Sequence, residues 1–90
     1  MITTRAGEVF TVELEATPTS GHRWQPGPVP AEIEFLDGGF AAGAQVPGAA
    51  GTQSFRFRAG RRGSYALTFV LKRSWEADPA ETRVLDIRVD

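Results

Sequence analysis

The 90-residue chain contains no cysteine. Disulfides, thiolate metal ligands and a cysteine nucleophile are therefore excluded together. A domain this short buries only about two thirds of the surface its unfolded chain exposes. Without covalent staples it must be held by its core and its strand ladders. It has a single histidine, His22, whereas zinc sites are built from several His or Cys ligands. No metal and no cofactor are expected. The net charge is −1, from 10 basic and 11 acidic residues. That balance lacks the basic excess of a nucleic-acid binder and gives no reason to expect a membrane-surface partner. No apolar run approaches the ~20 residues that span a bilayer. The stretch from Met1 to Gly7 has no apolar core of a signal peptide. Read as a complete chain, the protein is expected in the cytoplasm; its location is otherwise unknown.

Alternation with a period of two is the dominant signal. Phe10, Val12 and Leu14 share one face while Thr11, Glu13 and Glu15 take the other, which reads as a half-buried strand. Thr17-Pro18-Thr19-Ser20-Gly21 then breaks the pattern: Pro fixes φ and Gly permits φ > 0. A short strand begins at His22-Arg23-Trp24 and stops at Pro26-Gly27-Pro28. Glu32 to Leu36 alternates again, and Asp37-Gly38-Gly39 reads as a turn. Between Phe40 and Gly51 the chain is Ala, Gly and Pro with one Gln and one Val. That stretch is expected to be a loop, and long ordered loops in small domains are often functional.

Thr52 to Arg58 alternates, with Phe55 and Phe57 on one face, and Gly60-Arg61-Arg62-Gly63 turns the chain. Ser64 to Lys72 is the strongest strand. Tyr65, Leu67, Phe69 and Leu71 form one face, and Ala66, Thr68 and Val70 make the other fairly apolar too, as in a central strand. Arg73 to Ala80 is a loop, and Leu85, Ile87 and Val89 mark a last strand. No window carries a capped helical period. The expected architecture is all-β: a single domain, residues 1–90, folded as an immunoglobulin-like β-sandwich of six to eight short strands.

Catalytic chemistry finds no support. His22 lies close to Thr19 and Ser20, but a nucleophile on a tight turn needs an in-line base and a third orienting group. His22 is expected to be a rim histidine. Glu13, Glu15, Glu32 and Glu34 fall on solvent faces of strands, and a glycosidase would need two carboxylates facing each other across a cleft. The glycines match no phosphate-binding loop. Arg56, Arg58, Arg61 and Arg62 form a basic cluster without interleaved exposed aromatics, which serves solubility.

Three features stand outside this account: the turn from Thr17 to Trp24, the Gly-Ala segment ending Gly48-Ala49-Ala50-Gly51, and Arg73-Ser74-Trp75. Alternate strand pairs separate them, so a sandwich can gather them at one tip, as antibody domains gather their recognition loops. Trp and Arg are also enriched at interface hot spots. Trp24 is expected in the core, whereas Trp75 is a bulky aromatic on a loop and is expected to meet a partner.

These residues resemble the chagasin family of cysteine-peptidase inhibitors. That family carries an Asn-Pro-Thr-Thr-Gly-Tyr/Phe turn with a Trp two residues later, a Gly-x-Gly-Gly loop before a Phe-rich strand, and an Arg-Pro-Trp loop after a long apolar strand. Here the matches are Thr17-Pro18-Thr19-Ser20-Gly21-His22 with Trp24, Gly48 to Thr52 before Phe55 and Phe57, and Arg73-Ser74-Trp75 after Leu71. The resemblance implies a monomeric, non-enzymatic, reversible inhibitor that wedges three loops into the cleft of a papain-like cysteine peptidase. Pro18, Thr19, Ser20 and Gly21 would sit near the catalytic Cys and His of the peptidase, Gly48, Ala49, Ala50 and Gly51 along its non-primed groove, and Arg73 and Trp75 against its primed side, with Thr17, His22 and Ser74 completing the peptidase-binding residues. The chain departs from the pattern at Thr17 for Asn, His22 for an aromatic, Ala50 for Gly and Ser74 for Pro. The family's first strand, ahead of Arg5, is expected to be short or missing. The alternative is an immunoglobulin-like binding or adhesion module that does not inhibit peptidases.

Overall fold

The computed structural model describes residues 1–16, 21–42 and 51–90. Every regular element among them is a strand: β1 (Ile2–Thr4), β2 (Val9–Ala16), β3 (Arg23–Pro26), β4 (Ile33–Ala42), β5 (Gly51–Ala59), β6 (Gly63–Lys72) and β7 (Glu81–Val89). They form two sheets, ordered β1-β7-β6-β3 and β2-β5-β4. All neighbours are antiparallel except β1 and β7.

The period-two pattern accounts for how the sheets face each other. In β2 burial alternates strictly, with Phe10, Val12, Leu14 and Ala16 inward. Phe55, Phe57 and Ala59 of β5 join them from the same sheet, and Trp24, Leu67, Phe69, Ile87 and Val89 answer from the other. An aromatic column crosses the interior. Phe10 stacks on Phe57 at 5.6 Å between centroids, and Phe57 meets Phe69 edge-on at 6.1 Å. Offset and edge-to-face contacts of this kind suit the ring quadrupoles. Phe57 and Phe69 are fully buried, so truncating either to Ala would cost about 3–5 kcal/mol. β6 lies between β7 and β3, as its two apolar faces predict. Glu13, Glu15, Glu32 and Glu34 are exposed.

Two expectations are corrected. Asp37-Gly38-Gly39 is not a turn: β4 continues through it to Ala42, with a bulge between Phe35 and Asp37. The bulge absorbs Leu36, and the ladder runs on because backbone pairing needs no side chain. Gly38 faces the Phe55 ring, where an added Cβ would lie 3.5 Å from Phe55 Cδ1. The loop expected from Phe40 to Gly51 is correspondingly shorter, since Phe40, Ala41 and Ala42 pair with Gln53, Thr52 and Gly51. The first strand is present but short: Ile2, Thr3 and Thr4 pair in parallel with Ile87, Arg88 and Val89.

The end of the sandwich holding the chain termini is tied by backbone. Ala6 N donates to Asp90 O at 3.0 Å, Gly7 N to Ala59 O at 2.8 Å and Gly60 N to Glu32 O at 2.8 Å. Residues 17–22, 43–50 and 73–80 connect strands at the opposite end.

Candidate functional site

Strand register brings three connections to that opposite end. In one sheet Gly51 pairs with both Ala16 and Ala42, so residues 17–22 leave, and 43–50 leave and return, at neighbouring strand ends. In the other sheet Arg23 pairs with Lys72 and Leu71 with Glu81. Residues 73–80 therefore arise beside the point where residues 17–22 come back into strand. Ala80 N donates to Leu71 O at 2.7 Å and closes the base of that third connection.

Trp24 fastens the two sheets below this end. It is 3% exposed, in the core as expected. Its indole Nε1 donates to Glu15 O at 2.9 Å, which ties β3 to the last turn of β2 before the first loop. Gln53 of β5 bonds its backbone twice: Trp24 N donates to Gln53 Oε1 at 2.8 Å, and Gln53 Nε2 donates to Trp24 O at 3.3 Å. The Arg83 guanidinium covers the ring face at 4.9 Å.

The first and third connections touch above this base. Gly21 has φ of +78°, the left-handed region that its place in the turn predicts. An added Cβ there would lie 3.7 Å from Arg73 Nε and 3.8 Å from both Arg73 Cγ and Trp75 Cη2. Such spacing is ordinary contact, so the backbone angle rather than the space requires glycine. Arg73 in turn lies 5.7 Å from the centroid of the Trp75 ring. Trp75 is 74% exposed. Its edge rests on the first loop, and the rest of the ring is open to solvent.

His22 is a rim residue, half-buried. Its Nε2 lies 3.8 Å from Glu76 Oε1. That same oxygen accepts from Arg73 N at 3.3 Å, while Glu76 N donates to Arg73 O at 3.1 Å. Glu76 thus folds the third connection on itself and faces the first. Ser74 is exposed beside it, and Gly51 is buried as the first residue of β5. An added Cβ at Gly51 would collide with the Phe40 ring and lie 2.6 Å from Ala41 O. Thr17, Pro18, Thr19, Ser20, Gly48, Ala49 and Ala50 lie outside the described residues.

Sequence reasoning singled out Gly21, His22, Arg73 and Trp75, and the fold brings all four together. It missed Glu76 and Gln53. For Gln53 a signal existed: it occupies the same strand face as Phe55 and Phe57, and a polar residue on an apolar face needs partners. Glu76 carried no periodic signal, because its partners belong to irregular chain.

This arrangement is suited to recognition. Among the described residues no group of His, Cys, Asp or Glu is placed to hold a metal ion. Also among them, no helix is long and apolar enough to cross a membrane.

Comparisons with known proteins agree with this geometry. The model of the chagasin family of peptidase inhibitors, I42, matches residues 3–89. The fold is similar to the crystal structure of a cysteine protease inhibitor from Entamoeba histolytica, with a TM-score of 0.75 and 12% identity over 99% of this chain and 87% of that one. It is also similar to the solution structure of amebosin, with a TM-score of 0.70 and 21% identity over 99% of this chain and 85% of that one. At such identities the likeness is one of fold. No curated protein matches the chain. The family match spans nearly the whole sequence and falls on a β-sandwich: the chain belongs to the chagasin family of peptidase inhibitors, and is an inhibitor rather than an enzyme.

Proposed function

We propose that the chain is a reversible inhibitor of papain-like cysteine peptidases, acting as a single domain and a single copy that occludes the active-site cleft with the end bearing Gly21, Arg73 and Trp75. Membership of an inhibitor family supports inhibition. The similar fold of an Entamoeba cysteine protease inhibitor supports the cysteine class of target. The observation that carries the reading is Trp75, a large apolar ring held 74% exposed against Gly21 and Arg73. A loop propped in this way loses little freedom on docking, which lowers the entropic cost of binding.

In the proposed complex the turn Thr17, Pro18, Thr19, Ser20, Gly21 and His22 meets the catalytic centre. Gly48, Ala49, Ala50 and Gly51 follow one side of the cleft, and Arg73, Ser74 and Trp75 the other. No bond is made or broken. Inhibition comes from excluding substrate, and it reverses on dilution.

The test is a titration of papain with the purified protein, following hydrolysis of a fluorogenic peptide. Dose-dependent, dilution-reversible inhibition is expected. Full papain activity at tens of micromolar inhibitor, the weak end of specific binding, would sink the proposal.

A further inference from the structure

We infer that Gln53 is a positioning residue for the tip: its side-chain amide sets the distance between the roots of the first and second loops. The inference rests on the reading of this end as the peptidase-binding surface. It goes beyond that reading by naming a residue that touches no peptidase.

β3 is the edge of its sheet, paired only with β6. Along that ladder Arg23, Gln25 and Gly27 turn their backbone groups toward β6, the last through Gly27 N to Thr68 O at 2.7 Å. Trp24, between them, turns its N–H and C=O the opposite way, as antiparallel alternation requires. Those are the two groups Gln53 takes, accepting from Trp24 N at 2.8 Å and donating to Trp24 O at 3.3 Å. A primary amide sets a carbonyl acceptor beside an NH2 donor group, spaced like the two groups of a peptide unit. Gln53 therefore acts as a one-residue strand across the open edge of β3, reaching from the other sheet.

The position of Gln53 makes this clamp relevant to binding. It stands two residues after Gly51, where the second loop ends, and Trp24 stands two residues after His22, where the first loop ends. The remaining arm of Trp24, Nε1 to Glu15 O at 2.9 Å, reaches the strand from which the first loop departs. One side chain thus couples both roots of the first loop to the end of the second. Gln53 also lines a small niche with Ala16, His22, Arg23 and Phe40. An apolar side chain would fill such a site with no loss of burial but would leave Trp24 N and O unpaired, so the amide answers to the strand edge it caps and not to its own burial.

The test uses Gln53→Met, which keeps size and removes both hydrogen bonds, and Gln53→Glu. A protonated carboxyl carries a donor and an acceptor as the amide does, whereas a carboxylate only accepts. With a glutamate pKa near 4.3, Gln53→Glu can donate to Trp24 O in acid and not at neutral pH. His22 and Arg23 line the same niche, so each comparison is made with the wild type at equal pH.

Gln53→Met is expected to raise the papain inhibition constant roughly tenfold by loosening the loops, while Tm falls by less than about 8 °C. Gln53→Glu is expected to match Gln53→Met at pH 7.5 and to recover toward the wild type at pH 4.5. Wild-type inhibition by Gln53→Met, or no recovery of Gln53→Glu in acid, overturns the inference. If Gln53→Met does not fold, the acid recovery decides. If the wild type leaves papain untouched, the peptidase reading fails by itself, and backbone relaxation of Gly21 and Trp75 decides the clamp. Their order parameters fall in Gln53→Met if Gln53 positions the tip; unchanged values overturn it.

Discussion

The two tryptophans occupy opposite situations under similar local chemistry. Each has an arginine over its ring, Arg83 at 4.9 Å from Trp24 and Arg73 at 5.7 Å from Trp75. Trp24 is 3% exposed and Trp75 74%. Trp24 lies on a strand whose neighbours alternate around it, so its ring enters the core and its indole N–H finds Glu15 O. Trp75 follows the end of β6 on irregular chain, where no ladder directs it inward. A cation over a ring is worth about 0.5–1 kcal/mol at an exposed site, too little to choose between burial and exposure. Strand register makes that choice. The same residue type thus serves as anchor below the tip and, in the proposed complex, as contact surface upon it.

The largest expected effect separates the anchor from the contact. Trp24→Ala should lower unfolding free energy by about 3–5 kcal/mol, the range for large aromatic truncations, as read from denaturant unfolding. The clamp to Gln53 uses the backbone of Trp24 and survives in principle, so the loss belongs to the ring. A loss below about 1 kcal/mol would show that the ring does not anchor the sheets. Trp75→Ala should do the reverse. Its stability should stay within about 0.5 kcal/mol of the wild type, as for surface positions, while papain inhibition weakens by about 2 kcal/mol, the threshold of an interface hot spot. An unchanged inhibition constant would remove Trp75 from the proposed wedge. Equal destabilisation by both substitutions would dissolve the contrast itself.

How much of this could be read in the sequence depends on whether side chains or backbone carry the structure. β2 and β6 were legible because their apolar residues recur every second position against polar or small ones. The far half of β4 was not, because Asp37, Gly38 and Gly39 look like turn residues: Gly38 and Gly39 pair with Phe55 and Ser54 by backbone alone, and Asp37 meets Arg56 only once the strands are in register. β1 has three residues, too few for a period to declare itself. At the tip, Gly21 and Trp75 were legible as a turn residue and an exposed aromatic. Their contact was not, since it arises only from the register Arg23 to Lys72. Glu76 was invisible for the same reason: its meeting with His22 depends on two loops being side by side.

A third arginine sharpens the comparison, and gives the smallest expected effect. Arg56 pairs with a carboxylate rather than a ring. Its Nε donates to Asp37 Oδ1 at 2.6 Å and its Nη2 to Oδ2, on the exposed outer face of the β2-β5-β4 sheet. The side-chain hydrogen bond from Arg56, aided by its charge, lowers the pKa of Asp37 below its usual 3.8. A carboxyl whose folded pKa is depressed contributes stability that is fully present above the unfolded value. That contribution is lost as pH falls through the folded value. Arginines on rings have no such dependence, because neither partner titrates in that range. Asp37→Asn should therefore be slightly less stable than the wild type at pH 7, by an amount that shrinks in high salt as expected for an exposed pair. The gap should hold down to pH 5, begin to narrow below about pH 4, and close as pH falls through the lowered folded value. The deficit of Trp24→Ala should stay level over the same range. Thermal melts of the three proteins between pH 7 and pH 3 make the measurement. A gap for Asp37→Asn that is as wide at pH 3 as at pH 7 would mean that the pair acts through packing of the Arg56 stem rather than through charge.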